Sequence, residues 1–395
     1  RADPGRVLVL TASVGAGHTR AAEAVASGLQ SVAASRGGAV ESIEVVDVLA
    51  HATPWFRNAY RGLYLGLIDR APAVVGWLYD RSDRPWTGVA KRWHLAHANL
   101  SRLRRLLAER KPDLVVCTHF LASEYLAGLR RRGRLSAALA TVVTDIDVHG
   151  MWFCAPCDHY FVAADESAQM LLRGGVPPER ITTTGIPIDP VFAEPLPRSA
   201  ACGQHGLDPQ RRVVLFTTGG CCIGPVVSLF ESLLRLDTPA ELVTVCGRNE
   251  TVRTALEAAA QGVADGAAVR PHVLGFTTRM NELMAAADLL VGKPGGLTSS
   301  EARARGLPMV ILHAVPGQEE RNADHLLEWG CAIRCNTSAT TAWRIDRLLA
   351  DGSALDRMRR AATASATPRS ALDCAARLLD LFAAPCSRAS RTRAS

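Results

Sequence analysis

The 395-residue chain is 48% hydrophobic with a formal charge of +7, which supplies apolar residues for two buried cores and excludes a disordered chain. No apolar run reaches the roughly 20 residues a spanning helix needs, and no signal-peptide core opens the sequence, so a cytoplasmic location is expected. Eleven cysteines, an odd number without a disulfide-framework spacing, read as reduced thiols. Residues 6–11 (RVLVLT) then read as a buried strand, 12–17 as a small-residue loop, and 18–34 as a helix with Ala21, Val25 and Leu29 on one face. Further strands are predicted at 42–46, 114–117, 140–143, 159–162 and 181–184, with helical patterns between most of them. A Pro-rich polar stretch predicts an interdomain linker over 191–211. The pattern restarts at 212–217 (RVVLFT), followed by a helix near 225–236 and strands at 241–246, 269–274, 288–291 and 308–312. Helices fill most of 338–383, and 386–395 reads as a disordered tail. This alternation predicts an α/β protein of two doubly wound, Rossmann-like domains, 1–190 and 212–385, facing a cleft. In that architecture the last helix can cross back onto the first domain.

The positive charge is concentrated. Residues 55–111 hold twelve Arg/Lys against four Asp/Glu, together with four of the seven tryptophans: Trp55, Trp77, Trp86 and Trp93. Tyr60, Tyr64 and Tyr79 fall in the same segment. Amphipathic aromatics beside arginine suit an anionic membrane interface, the alternative being a solvated basic face over core aromatics. No nucleic-acid-binding motif accompanies the patch, so nucleic acid is not an expected partner.

The densest motif lies at 291–319. A buried strand ends in Gly292-Lys293-Pro294-Gly295-Gly296, Leu297 follows, and a helix is predicted to begin at Thr298 or Ser299 with Glu301 in its first turn. Amides at such a helix start can hold anionic oxygens. Gly306-Leu307-Pro308 ends that helix, and beyond the next strand comes a second polar loop with Gln318 and Glu319. Both loops leave one edge of a parallel sheet, where α/β folds bind ligands, and together they read as half of a nucleotide-sugar site. Lys293 is one of only three lysines in the chain. Glu301 suits two ribose hydroxyls, or simple complementarity to the helix dipole.

In the first half, Val14-Gly15-Ala16-Gly17-His18 links the first strand to the first helix. It is neither a dinucleotide fingerprint, since Arg20 stands at the last glycine position, nor a P-loop, so NAD and ATP are not expected. His18 near a helix N-terminus favours the neutral imidazole, able to accept a proton. Asp145-Ile146-Asp147 matches a short metal-binding pattern that arises often by chance, and no metal is expected. Cys154-Ala155-Pro156-Cys157 precedes a strand, not a helix, which argues against a thioredoxin-like role.

These residues resemble the diacylglycerol glycosyltransferases, a family that includes monogalactosyldiacylglycerol synthase and the processive diacylglycerol glucosyltransferases. The likeness runs collinearly over about residues 6–335, through Gly15-Ala16-Gly17-His18, Val143-Thr144-Asp145 with His149 and Trp152, Thr184-Gly185-Ile186-Pro187-Ile188, Gly247-Arg248-Asn249, Gly275-Phe276 and 293–302. The resemblance implies a GT-B fold and inverting transfer from a UDP-sugar to a lipid hydroxyl, with the UDP-sugar as co-substrate and no cofactor. It implies His18 as the base, with Asp145 as the alternative base or as the group orienting the imidazole. It implies donor contacts at Gly17, Gly219, Gly220, Gly247, Phe276, Lys293, Gly295, Gly296, Leu297, Thr298, Glu301, Gln318 and Glu319. Acceptor or membrane contacts are expected at Trp55, Tyr60, Trp77, Trp86, Trp93 and His149, placing the protein on the inner face of the plasma membrane. Cys221 and Cys222 replace the smaller residues usual in the family's glycine loop. A soluble or peptidoglycan-type acceptor, UDP-sugar epimerisation and non-catalytic UDP-sugar sensing are the competing readings.

Overall fold

A computed structural model describes residues 5–38, 40–218, 226–264 and 266–382. Its first part runs β1 (Arg6–Thr11), α1 (Ala16–Ser35), β2 (Ser42–Asp47), α2 (Pro54–Arg70), α3 (Pro72–Ser82), α4 (Val89–Asn99), α5 (Ser101–Arg110), β3 (Leu114–Cys117), α6 (Phe120–Arg131), β4 (Ala138–Val142), β5 (His159–Val162), α7 (Asp165–Arg173) and β6 (Ile181–Thr183). The second runs α8 (Arg198–Gln204), β7 (Arg212–Thr217), α9 (Val226–Leu233), β8 (Ala240–Val245), α10 (Glu250–Gln261), β9 (Val269–Leu274), α11 (Met280–Ala286), β10 (Leu289–Gly292), α12 (Gly296–Ala304), β11 (Met309–Ile311), α13 (Gln318–Glu328), β12 (Ala332–Arg334), α14 (Ser338–Ala350), α15 (Gly352–Ala364) and α16 (Ser370–Phe382).

The strands form two six-stranded sheets in the orders β2-β1-β3-β4-β5-β6 and β12-β11-β10-β7-β8-β9. Every pairing is parallel, as in β1 with β3 and β7 with β10. Helices cover both faces, so inner strands such as LVVC in β3 and LLVG in β10 are fully buried and read as continuous apolar runs instead of alternating ones. In each sheet the strand order reverses once, between β1 and β3 and between β7 and β10. Ligands of open α/β sheets bind outside the carboxyl ends at such a switch point.

Two features depart from the expected layout. Residues 191–211, predicted as a linker, carry α8, whose Ala201 and Cys202 are buried in the core of the second sheet, with Arg198 paired to Asp288 at 2.9 Å. The second sheet also gains β12, too short to show as a period in the sequence. The last helix does cross back. α16 packs along α1, Cys374, Ala375, Leu378 and Leu379 sharing one cluster with Ala22, Val25, Ala26 and Leu29. Gly28 permits this approach, because a Cβ there would come within 2.5 Å of the Ala371 carbonyl oxygen. Among the described residues no helix is long and apolar enough to cross a membrane.

Candidate active site

The loop after β1 is held from behind. Asp47, at the end of β2, accepts from the Ser13 amide at 3.1 Å, and also from the Ser13 hydroxyl. α1 then opens at Ala16 and presents His18 in its first turn. The His18 Nδ1 lies 3.1 Å from the Thr118 carbonyl oxygen, beyond β3, and 2.8 Å from the Thr144 hydroxyl, beyond β4. A carbonyl only accepts, so Nδ1 carries the ring proton and Nε2 keeps its lone pair. Desolvation pulls the imidazole down to about 4, the Thr118 bond opposing it, so the ring is neutral near pH 7. His18 is a half-buried neutral base whose tautomer is fixed by Thr118, with no hydrogen bond to Asp145.

An aromatic wall stands beside it. His119 packs edge-on at 4.6 Å between ring centroids and Trp152 lies at 6.4 Å. Phe120 stacks on His119 at 4.2 Å, and Tyr60 reaches it from α2 at 6.4 Å.

Asp145 belongs to a second arrangement. Residues 145–147 form a strip that meets one face of α13, where Gln318, Asn322 and His325 recur at helical spacing. Gln318 donates its side-chain amide to Asp145, Asn322 accepts from the Ile146 amide at 3.2 Å, and His325 meets Asp147 at 2.6 Å. Trp152 adds an indole N–H to Asp145 at 3.3 Å. Burial raises the Asp145 carboxyl to about 6 against the pull of those two donors. Asp147 raises the His325 pKa through their hydrogen bond. The Asp-x-Asp pattern is thus a docking strip between the domains, and no group of three or more potential ligands among the described residues could hold a metal ion.

On the donor side α12 begins at Gly296, earlier than the sequence suggests, so Glu301 sits beyond the first turn and dipole complementarity does not account for it. Its side chain is 1% exposed and forms an ion pair with Arg20 of α1, while its other oxygen, Oε2, has no partner among the described residues. Burial raises this carboxyl to about 7, opposed by Arg20. Gly295 caps α12 with no side-chain bond, leaving the first amides free for a ligand. Gly17 faces Leu297 at the mouth of the cleft. Thr298 is half-buried, and Lys293 acts through space on Glu319, which accepts from the Val315 amide at 2.8 Å. Gly247 follows β8, and beyond β9 Phe276 lies 60% exposed under the Arg248 guanidinium at 4.6 Å. Gly219 and Gly220 lie outside the described residues.

The aromatic segment divides. Trp55 and Trp77 are 70% and 59% exposed, and Val74, Trp77 and Leu78 make an apolar stripe along α3. Trp86 is held by an indole bond to the Gly174 carbonyl at 2.8 Å. Trp93, expected on the same face, is instead buried at 4% exposure, stacked on His97 and covered by Arg132, because α4 packs it against Gly128 of α6. His149 is also buried, its Nε2 on the Tyr79 carbonyl at 2.9 Å, so it braces α3. Tyr79 in turn lies against Gly317, and Arg321 of α13 grips Asp83 at 2.6 Å and Asp80 at 3.0 Å.

Sequence reasoning missed Thr118, His119, Arg20 and Arg321. A polar Thr118-His119 pair directly after a buried strand was a usable signal, since that position is a carboxyl edge. Arg20 registered only as the residue that spoils a fingerprint.

Comparison with known proteins follows the same lines. A family model described as monogalactosyldiacylglycerol (MGDG) synthase matches residues 18–188. The processive diacylglycerol beta-glucosyltransferase of Bacillus subtilis (strain 168) is 31% identical over 358 residues, 90% of each chain. That of Staphylococcus carnosus (strain TM300) is 29% identical over 365 residues, 89% of this chain and 87% of the relative. Among solved structures, Acinetobacter baumannii MurG matches with TM-score 0.58 at 17% identity, covering 95% of this chain and 98% of that one. The UDP-GlcNAc 2-epimerase from Neisseria meningitidis bound to UDP-GlcNAc matches with TM-score 0.56 at 14% identity, covering 95% and 99%. These two share the GT-B fold.

Proposed function

The chain belongs to the diacylglycerol glycosyltransferase family, and on that premise we propose that it transfers a hexose, with inversion, from a UDP-sugar to the hydroxyl of diacylglycerol or a derived glycolipid at a membrane surface. The observation that carries this reading is the anchored, neutral His18 between an aromatic wall and the start of α12. As the acceptor oxygen attacks the anomeric carbon, His18 Nε2 takes its proton and the bond from that carbon to the UDP oxygen breaks. General-base help of this kind contributes about 10²- to 10⁴-fold. The amides at Gly296 and Leu297, at a helix start with no side-chain cap, stabilise charge that develops on the leaving diphosphate, a preorganised electrostatic effect. Glu301 holds the ribose, Phe276 and its backbone neighbours the uracil, and Gln318 with Glu319 the sugar.

Glu301 and Gln318 are engaged by Arg20 and Asp145 of the opposite domain. Donor binding therefore exchanges cross-cleft bonds for bonds to substrate. The acceptor arrives through the face that carries Trp55 and the α3 stripe, resting at the cytoplasmic leaflet, with the aromatics at headgroup depth and nearby cations on anionic lipid.

The decisive assay offers a panel of UDP-sugars with a mixed lipid extract and with no acceptor, products being read by mass. A new glycolipid and released UDP are expected only with lipid. Conversion of the UDP-sugar without any acceptor would make the protein an epimerase and sink the proposal.

A further inference from the structure

A second charged cavity lies at the opposite end of the first sheet. It has a volume of about 1270 Å³ and is walled by Arg6, Arg102, Arg104, Arg105, Lys111 and Arg134, with Asp113 as its acidic member. Arg6 starts β1, Lys111 and Asp113 precede β3, and Arg134 precedes β4, so the cavity sits at the amino ends of strands whose carboxyl ends form the active site. At about 3.3 Å per residue, the length of β1 alone keeps the two roughly 16 Å apart.

Its charges are unbalanced. Asp113 accepts from the Arg6 backbone amide at 2.9 Å. The side chains of Arg102, Arg104, Arg105, Lys111 and Arg134 have no carboxylate partner among the described residues, and Arg6 Nε is buried without a hydrogen bond. The cations also crowd the start of α5, which has no acidic residue in its first turn and no side-chain cap. A helix start favours anions, so Arg102 and Arg104 in the first turn of α5 call for a negative counter-charge there. Burial pushes His97 below its ordinary value, and Arg104 and Arg134 add to that effect. Leu107, Leu129 and Leu135 supply an apolar floor.

We propose that this cavity is a second binding site, distinct from the donor site, for a ligand bearing several phosphoryl charges. Its volume exceeds what one phosphate fills, and its cations come from three separate chain segments, as a multidentate anion requires. The ligand source is either a soluble polyphosphate-type molecule or phosphoryl headgroups of a lipid surface, and the test separates them.

The full chain, held in saturating UDP to occupy the donor site, is titrated calorimetrically with inorganic tripolyphosphate at low salt, and is floated with vesicles of phosphatidylcholine alone or with phosphatidylglycerol. The variant R102Q/R104Q/R105Q is compared with R235Q/R357Q/R377Q, which removes the same charge from exposed positions elsewhere, and with the single R134Q. One tripolyphosphate site is expected, weakened at least tenfold in the triple variant and severalfold in R134Q, and unchanged in the control; thermal unfolding verifies that each variant is folded. Loss of tripolyphosphate binding with vesicle flotation unaltered assigns a soluble ligand. Loss of the phosphatidylglycerol-dependent part of flotation, with phosphatidylcholine binding intact, assigns headgroups. Equal losses in the control triple, or wild-type binding of both probes by R102Q/R104Q/R105Q, would overturn the site. An inactive transferase that still binds tripolyphosphate here leaves this site standing, so the two proposals fail separately.

Discussion

The carbonyl oxygen of Thr144 lies against Gly296, so close that a Cβ at Gly296 would overlap it. Thr144 also holds the His18 ring, so the first residue of α12 presses on the group that positions this imidazole. At Gly295, by contrast, a Cβ meets no atom within 4 Å. Gly296→Ala is expected to destabilise the protein by about 1–3 kcal/mol, as overpacking does. Gly295→Ala should stay within about 0.5 kcal/mol. Denaturant unfolding of the pair checks this, and equal stability of the two variants would refute the close approach.

The two candidate bases separate by pH. A base works only when deprotonated: His18, drawn down to about 4, is ready across the physiological range, whereas Asp145, raised to about 6, would impose an acid limb there. With saturating donor, kcat is expected to be flat from about pH 5 to 8. His18→Ala should lower it by about 10²- to 10⁴-fold. A limb near pH 6 that disappears in Asp145→Asn would transfer the role to the carboxylate.

Glu301 should act on donor binding more than on chemistry. Charge-assisted hydrogen bonds contribute about 1.5–3 kcal/mol each, so Glu301→Gln is expected to raise the donor KM by roughly ten- to a hundredfold with a much smaller change in kcat. Because burial lifts this carboxyl to about 7, the wild-type donor KM should worsen as pH falls below 7, and that dependence should vanish in the variant. Initial rates over donor concentration and pH measure both.

Exposure sets opposite expectations for two tryptophans. Trp77→Ala, on the open stripe of α3, should reduce binding to anionic vesicles severalfold with an unchanged melting curve. Trp93→Ala removes a buried ring between His97 and Arg132 and should cost about 3–5 kcal/mol of stability. Vesicle flotation beside thermal unfolding distinguishes them.

What the sequence revealed and what it hid have one physical explanation. Strands such as 114–117 and 212–217 are local apolar runs, and they fold at the predicted residues. Gly15 to His18 and 293–301 were legible because loops at carboxyl edges concentrate glycine and polar residues. Partnerships between domains leave no local trace: nothing near Arg20 points to Glu301, and nothing near Asp145 points to Gln318. Trp93 misled for the same reason, since an aromatic among arginines looks alike in solution and under a guanidinium.

The clasp between α16 and α1 sets an order of events for a chain emerging from the ribosome. Until residues 370–382 are made, Ala22, Val25, Ala26 and Leu29 of the helix that carries His18 have no cover on one side. Until then the helix that carries His18 is incompletely packed, although every strand of the first sheet has already been made. Cutting the protein between its two sheets would yield halves that each lack a wall. The first domain is stitched shut by a helix from beyond the second sheet.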